Sequence, residues 1–221
     1  MNKYDLKPEE LFESIPEDLL PYFKNVTYVW ELLPEIKGII QEIISKGDGR
    51  FFKLKDDVLV GKNVTIAPTA SITGPAIIED DVEIRPGAYI RGNVYIGKGC
   101  VVGNSSELKN CILLPHAQVP HYNYVGDSIL GNYAHMGAGS ICSNLRGDGK
   151  NVIVHADKDY ETGFRKFGAI LGDHAEIGCG SVLNPGTIIG KNTQVYPLTM
   201  TRGAYPSNVI VKATKVVVAK K

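Results

Sequence analysis

Two histidines, His116 and His121, stand five residues apart in a chain that holds three more, His135, His155 and His174. Histidine takes up and releases a proton near neutral pH, and it is also the commonest metal ligand. The pair therefore admits two chemistries. A catalytic zinc site needs about three protein ligands and an open position. The third ligand would come from an earlier stretch, and no histidine precedes His116. A general base needs only one imidazole within reach of the proton that it removes. His121 lies in VPHYNYVGD, where Pro120 fixes the backbone and Tyr124, Gly126 and Asp127 follow. On its own such a histidine can equally be a solvated side chain, and its neighbours must decide; no metal is expected.

Such residues need a scaffold, and composition narrows what it is. The 24 Lys and Arg cancel the 24 Asp and Glu among 221 residues. A neutral balance argues against a nucleic-acid or anionic-membrane partner. No apolar run approaches the roughly 20 residues that span a bilayer. The opening MNKYDLKPEE is polar and acidic rather than a leader. Cys100, Cys111, Cys142 and Cys179 form no C-x-x-C and no cluster, which fits a reducing, cytoplasmic setting. Glycine is in excess, 24 residues against a roughly 7% average.

Residues 1–50 read as a small helical subdomain that serves as a cap or docking surface. KPEELFES and PEDLLPYF place Pro and acids near helix starts. Val29, Trp30, Leu33, Ile36, Ile40, Ile43 and Ile44 follow helical spacing up to Gly47, with Pro34 splitting the run.

Beyond Gly49 the period changes. Val60, Ile66, Ile72, Ile78, Ile84, Ile90, Ile96, Val102, Leu108 and Leu114 recur every sixth residue. Smaller or β-branched residues lie two before, from Val64 and Ala70 to Cys100 and Ser106, with the larger Ile112 last. A six-residue period signals a parallel β-helix, whose short strands turn corners at fixed intervals. The frame slips around Pro115–Val119 and resumes as Tyr124, Leu130, Met136 and Cys142. It returns as Leu171, Ile177, Leu183, Ile189 and Val195, for about six coils at three sextets per turn. The fold class predicted is all-β, a β-helix over 51–200 followed by a C-terminal tail at 201–221.

The interval 143–168 is too long for an ordinary loop. Its Tyr160, Phe164 and Phe167 predict an ordered, extruded arm that folds over a neighbouring subunit. A prism this narrow has no internal cavity. Any site must lie on its outer faces, between subunits or under the arm.

Several motifs now form an ordered set: IRPGA (84–88), VGNSSELKN (102–110), PHYNYVGD (120–127) and MGAGSICSN (136–144). Their order and spacing resemble the acetyltransferase domain of the bifunctional glucosamine-1-phosphate acetyltransferase/N-acetylglucosamine-1-phosphate uridyltransferases. NLRGDGK and FRKFGAILGDHAEIG look more like the archaeal-type members that acetylate hexosamine 1-phosphates. The resemblance covers about residues 55–200. It implies a left-handed β-helix, a homotrimer with sites between prisms, and acetyl-CoA as co-substrate in nucleotide-sugar biosynthesis. It also implies roles. Arg85 and Lys109 match the basic residues that hold the sugar phosphate. His121 matches the catalytic base and Tyr124 a substrate-contacting tyrosine, although Tyr124 also sits at an inward register position. Asn144 and Lys150 match residues that enclose the sugar. Ala138 and Cys179 match positions along the cofactor.

Departures accompany the match. His135 stands where the bacterial enzymes usually have asparagine, Leu145 where they have tyrosine, and Cys179 where a serine is expected. Cys179 raises a covalent route, but a nucleophilic thiol needs a nearby base and the sequence shows none, so direct transfer is favoured. The family's nucleotidyltransferase domain, with its Gly-rich phosphate loop, has no counterpart in these residues. Two alternatives stay open: a non-catalytic assembly subunit that docks a separate nucleotidyltransferase through residues 1–50, and a zinc-dependent, carbonic-anhydrase-like hexapeptide protein.

Overall fold

In the computed structural model, which describes residues 4–47 and 49–213, short strands wind into a left-handed parallel β-solenoid of about nine turns. Each turn lays one strand on each of three faces. The first face stacks Glu83–Ile84, Val101–Asn104, Gln118–His121, His135–Met136 and Glu176–Ile177. The second stacks Tyr89–Ile90, the beginnings of Glu107–Leu113 and Tyr124–Leu130, then Ile141–Cys142 and Val182–Leu183. The third carries Ala76–Ile78, Val94–Ile96, the ends of the same two long strands, Ala169–Leu171 and Thr187–Ile189. Inside, aliphatic and small residues alternate as expected: Ile84, Ile90, Ile96, Val102 and Leu108 with Ala88, Val94 and Cys100 are all buried in one cluster. The count exceeds the expected six turns. The ladder also runs on through Met200–Thr201, Ala204–Tyr205 and Ile210–Val211, where a tail was expected. Residues 214–221 lie outside the described residues.

The frame slips earlier than the sequence indicates. Coils advance by 18 residues from Val58 to Ala76 to Val94, but by 17 from Val94 to Cys111 to Ser128. The missing residue comes out of the corner between the second and third faces. There Arg91–Asn93 gives way to Lys109–Asn110, and in the next coil to Gly126–Asp127. Asn110 (φ 50°) and Asp127 (φ 49°) take the left-handed backbone that short polar side chains tolerate. As a result Cys111 and Leu113 fill the prism, while Ile112 and Leu114 belong to the outer cluster. Val125 takes the inward place expected of Tyr124.

The outward ladder of the third face, Ile77, Tyr95, Ile112, Ile129, Ile170 and Ile188, is apolar and fully buried. Burying one such side chain contributes about 1.5–3 kcal/mol, and residues 4–46 supply the cover. Helices α1 (Pro8–Leu11), α2 (Leu20–Lys24) and α3 (Ile36–Lys46), with the 3-10 turn Val29–Leu32, bury Leu11, Leu19, Val29, Ile36 and Ile40 in the same cluster. Polar staples fix the cover in place. The Asp173 carboxylate accepts the Glu13 and Asn132 amides, each at 2.7 Å, and the Asn110 side chain donates to the Leu33 carbonyl at 3.0 Å. The segment expected to dock a partner thus spends these apolar side chains on its own solenoid.

The arm leaves the shortened corner after Asn144 and returns at Gly168. Its strands Ile153–His155 and Asp159–Glu161 pair as an antiparallel hairpin, and Leu145 bridges Lys166 at its root. Val152, Val154 and Phe167 are buried. The Trp30 ring lies 6.3 Å from Phe167 and 6.0 Å from Tyr160, and Tyr28 lies 5.4 Å from Tyr160. The arm packs on its own chain, where Tyr28 and Trp30 give its aromatic side chains an apolar partner. No helix among the described residues is long and apolar enough to cross a membrane.

Candidate functional site

Two corners bound the second face, and the candidate residues divide between them. At the first, coils stack in line. His121 pairs with Asn104 below, the Gly139 amide donates to the His121 carbonyl at 3.0 Å, and the Gly180 amide donates to Ala138 at 2.9 Å. His121, Ala138 and Cys179 therefore occupy successive coils of one edge, about 4.8 Å apart. All three are exposed. Among the described residues, the His121 imidazole and the Ala138 amide make no hydrogen bond, whereas the amides of Gly137 and Gly139 are used within the solenoid. Only glycine fits at Gly103, where a Cβ would overlap the Pro120 carbonyl.

One residue that the sequence reading missed organises this edge. Asn123 is buried between the corner and the prism. Its side-chain oxygen accepts the His121 amide at 3.1 Å, and its NH₂ group donates to the Gly137 carbonyl at 2.9 Å and to Ser140 Oγ at 3.1 Å. His121 and the Gly-Ala-Gly turn are held by one side-chain amide. A polar residue at an inward register position, between Val119 and Val125, was the available signal.

The second corner is the shortened one. Lys109 donates to both Asp127 oxygens, at 3.1 and 3.0 Å. Asn144 donates to Asp127 at 2.5 Å and to the Tyr124 hydroxyl at 3.2 Å, and Asn110 donates to Asp127 at 3.0 Å. Burial first, then the Asp127 and Glu107 carboxylates, raise the Tyr124 phenol above its usual range, so it stays neutral at physiological pH. Gly126 has no room for a side chain: a Cβ would stand 2.5 Å from the Tyr124 hydroxyl and 2.9 Å from Asn144 Nδ2. Lys109, Tyr124 and Asn144 are thus brought together.

The other candidates are placed apart. Arg85 sits at the foot of the His121 edge, not beside Lys109, and forms a two-point pair with Glu83 at 3.0 and 3.2 Å. Lys150 is exposed on the arm. His135 faces outward from the first face and pairs with Glu176 at 2.9 Å. His116 stacks on Tyr133 (4.7 Å between centroids), which stacks on His174 (5.0 Å). Among the described residues no group of three or more His, Cys, Asp or Glu gathers as a metal site. A cleft of about 570 Å³ opens between the arm root and later coils, lined by Arg146, His155, Asn184 and Arg202 among others. Its charges are already matched. Arg146 grips Asp148, pulling that carboxyl down to about 2. His155 lies 2.6 Å from Asp159 and receives Arg202 on Nε2 at 3.0 Å.

Comparison with known proteins adds to this geometry. Residues 72–159 match the family described as the GMPPB C-terminal domain. The bifunctional protein GlmU of Methanococcus aeolicus is 35% identical over 192 residues, which are 79% of this chain and 43% of that protein. The bifunctional sugar-1-phosphate nucleotidylyltransferase/acetyltransferase of Sulfurisphaera tokodaii is 35% identical over 162 residues, 64% of this chain and 40% of the relative. Among solved structures, a variant of AntD, an N-acyltransferase from Bacillus cereus in complex with dTDP and coenzyme A, aligns with a TM-score of 0.41. It is 19% identical and covers 78% of this chain and 92% of that one. The chain spans less than half the length of these two curated relatives.

Proposed function

We propose, from the premise that the chain belongs to the GlmU-like acetyltransferase domains of the hexapeptide β-helix type, that it transfers acetyl from acetyl-CoA to the amine of a hexosamine 1-phosphate. One observation carries the reading: an imidazole, His121, and a backbone amide, Ala138, that make no hydrogen bond among the described residues stand on adjacent coils of one edge. His121 takes a proton from the substrate ammonium, and the amine attacks the thioester carbonyl. The Ala138 N–H is placed to donate to the oxygen as negative charge develops there. Collapse of the adduct breaks the C–S bond, and the nitrogen gives up its second proton as the amide forms. The departing CoA thiolate takes up one proton to leave as the thiol, and the other passes from His121 to solvent.

The acceptor lies against the second face in this reading. Its amine points to the His121 edge and its phosphate to the corner of Lys109, Tyr124 and Asn144. Lysine is a compact cation with three donors, suited to one phosphate. Lys150 belongs to the same proposal as a further sugar contact, whereas Arg85, away from Lys109 and paired with Glu83, is left out of the phosphate grip. Cys179, one coil above Ala138, borders the thioester arm. A homotrimer in which a neighbouring prism closes this open face completes the proposal. A monomeric mass by light scattering would contradict that last part.

The test is CoA-thiol release from acetyl-CoA with glucosamine 1-phosphate, galactosamine 1-phosphate and UDP-linked amino sugars. Release is expected with a sugar 1-phosphate. Turnover confined to the UDP-linked sugars would overturn the acceptor, and no turnover with any of them would overturn the activity.

A further inference from the structure

The acceptor corner contains one carboxylate with no assigned task. Asp127 is 5% exposed, and its two oxygens receive Lys109, Asn110 and Asn144. A carboxylate offers about four lone-pair sites, so this one is saturated. Its side chain is 7% exposed and that of Lys109 24%, which makes the pair a largely buried one with the ammonium at its solvent side. Two of the three donors, Lys109 and Asn144, are residues that the proposed function assigns to the acceptor.

The backbone of Asp127 matters as well. Its carbonyl accepts the Gly168 amide at 2.8 Å, and the Asn144 carbonyl accepts the Phe167 amide at 3.0 Å. Both ends of the arm are therefore fastened at this residue, the outgoing end through the Asn144 side chain and the returning end through Gly168. Asn110 links the same carboxylate to the Leu33 carbonyl of the helical cover. Solenoid, arm and cover meet at one group. An ammonium has three donors, and two-point contact with Asp127 leaves at least one for a ligand, in a direction that the carboxylate sets.

We propose that Asp127 is a positioning residue for the acceptor: it fixes the Lys109 ammonium and the Asn144 amide where the sugar phosphate is gripped, without touching a reacting atom. The inference rests on the acceptor reading above. It makes a counterintuitive demand. Removing the negative charge leaves Lys109 a bare cation, so charge alone would tighten binding of a phosphate. Positioning requires the opposite.

The experiment is steady-state kinetics of Asp127→Asn and Asp127→Glu with glucosamine 1-phosphate and acetyl-CoA, alongside thermal melting. Asp127→Glu keeps the charge and displaces it by one methylene. Since small misplacements of a positioning group can cost up to about a hundredfold, acceptor KM should rise by about tenfold or more in both variants. Acetyl-CoA KM should stay near that of the parent protein. Combining Asp127→Asn with Lys109→Met should raise acceptor KM by less than the product of the two separate effects, because the two share one ammonium while Asp127 also holds Asn144. An unchanged or lower acceptor KM in Asp127→Asn, or equal rises in both KM values, overturns the inference while leaving the acetyl-transfer reading intact. A parent protein that turns over no amino-sugar phosphate overturns both. If Asp127→Asn fails to fold, Asp127→Glu still decides the matter by the same split between acceptor and donor.

Discussion

At the His121 corner, the imidazole and the Ala138 amide make no hydrogen bonds among the described residues, whereas at the Lys109 corner the carboxylate bonds the ammonium and the two Asn side chains. Both corners are built from the same repeat. They differ in length, because the first keeps its regular stacking while the second has lost a residue in two successive coils. A regular corner presents groups to solvent in line along the axis, which suits an extended donor and a base that must stay free to take a proton. A shortened corner draws side chains from neighbouring coils together, which suits a fixed grip on charge. Irregularities in β-structure are over-represented next to active sites for this reason.

The largest expected effect falls on the open corner. Replacing His121 by Ala should lower kcat by about 10²–10⁴-fold, the usual worth of a general base, with the circular dichroism spectrum unchanged. Turnover near that of the parent protein would remove the base assignment. Next comes Gly126→Ala at the shortened corner, where the added methyl meets Tyr124 and Asn144. It should raise acceptor KM by about tenfold or more while sparing acetyl-CoA KM, given the steep penalty for small misplacements. A rise in the donor KM alone would reverse the division of labour between the corners.

A smaller effect is expected at Asn123, which ties His121 to the Gly137 turn from inside. Asn123→Ala leaves buried partners unsatisfied and should destabilise the fold by about 1–3 kcal/mol, read from denaturant unfolding, with kcat falling more than either KM changes. The smallest concerns pH. Burial pushes the Cys100 and Cys142 thiols up to about 12, while an unfolded thiol titrates near 8.5. The folded state therefore holds these protons when the unfolded chain has lost them. The stability they confer is complete below about pH 8.5 and declines as pH rises towards 12. Melting temperature should fall across this window, with a shallower slope in Cys100→Ala than in the parent protein. Equal slopes would contradict it.

The solenoid was legible because one face of each strand is always small or aliphatic, and ten residues at a spacing of six leave few other folds. Legibility failed where both sides of a strand are apolar. Cys111, Ile112, Leu113 and Leu114 are all buried, so a period of six ran on through Ile112 and Leu114 although the frame had already slipped at Lys109–Asn110. The cover created the ambiguity: a face packed on both sides carries no alternation. The same cover explains the arm, whose aromatic residues signalled an apolar partner without saying that Tyr28 and Trp30 would provide it. Of the candidate residues carried by the resemblance, all but Lys150, which lies on the arm, divide between the two corners. Asn123 was marked only by its polar side chain at an inward position, and Asp127 is a buried polar group that no spacing rule picks out.

Kinetics of His121→Ala and Lys109→Met, measured side by side with glucosamine 1-phosphate and acetyl-CoA, test the separation of chemistry from grip most directly. The account predicts that His121→Ala loses kcat and keeps its acceptor KM, while Lys109→Met raises acceptor KM and retains most of kcat. The same pattern of loss in both variants would contradict it.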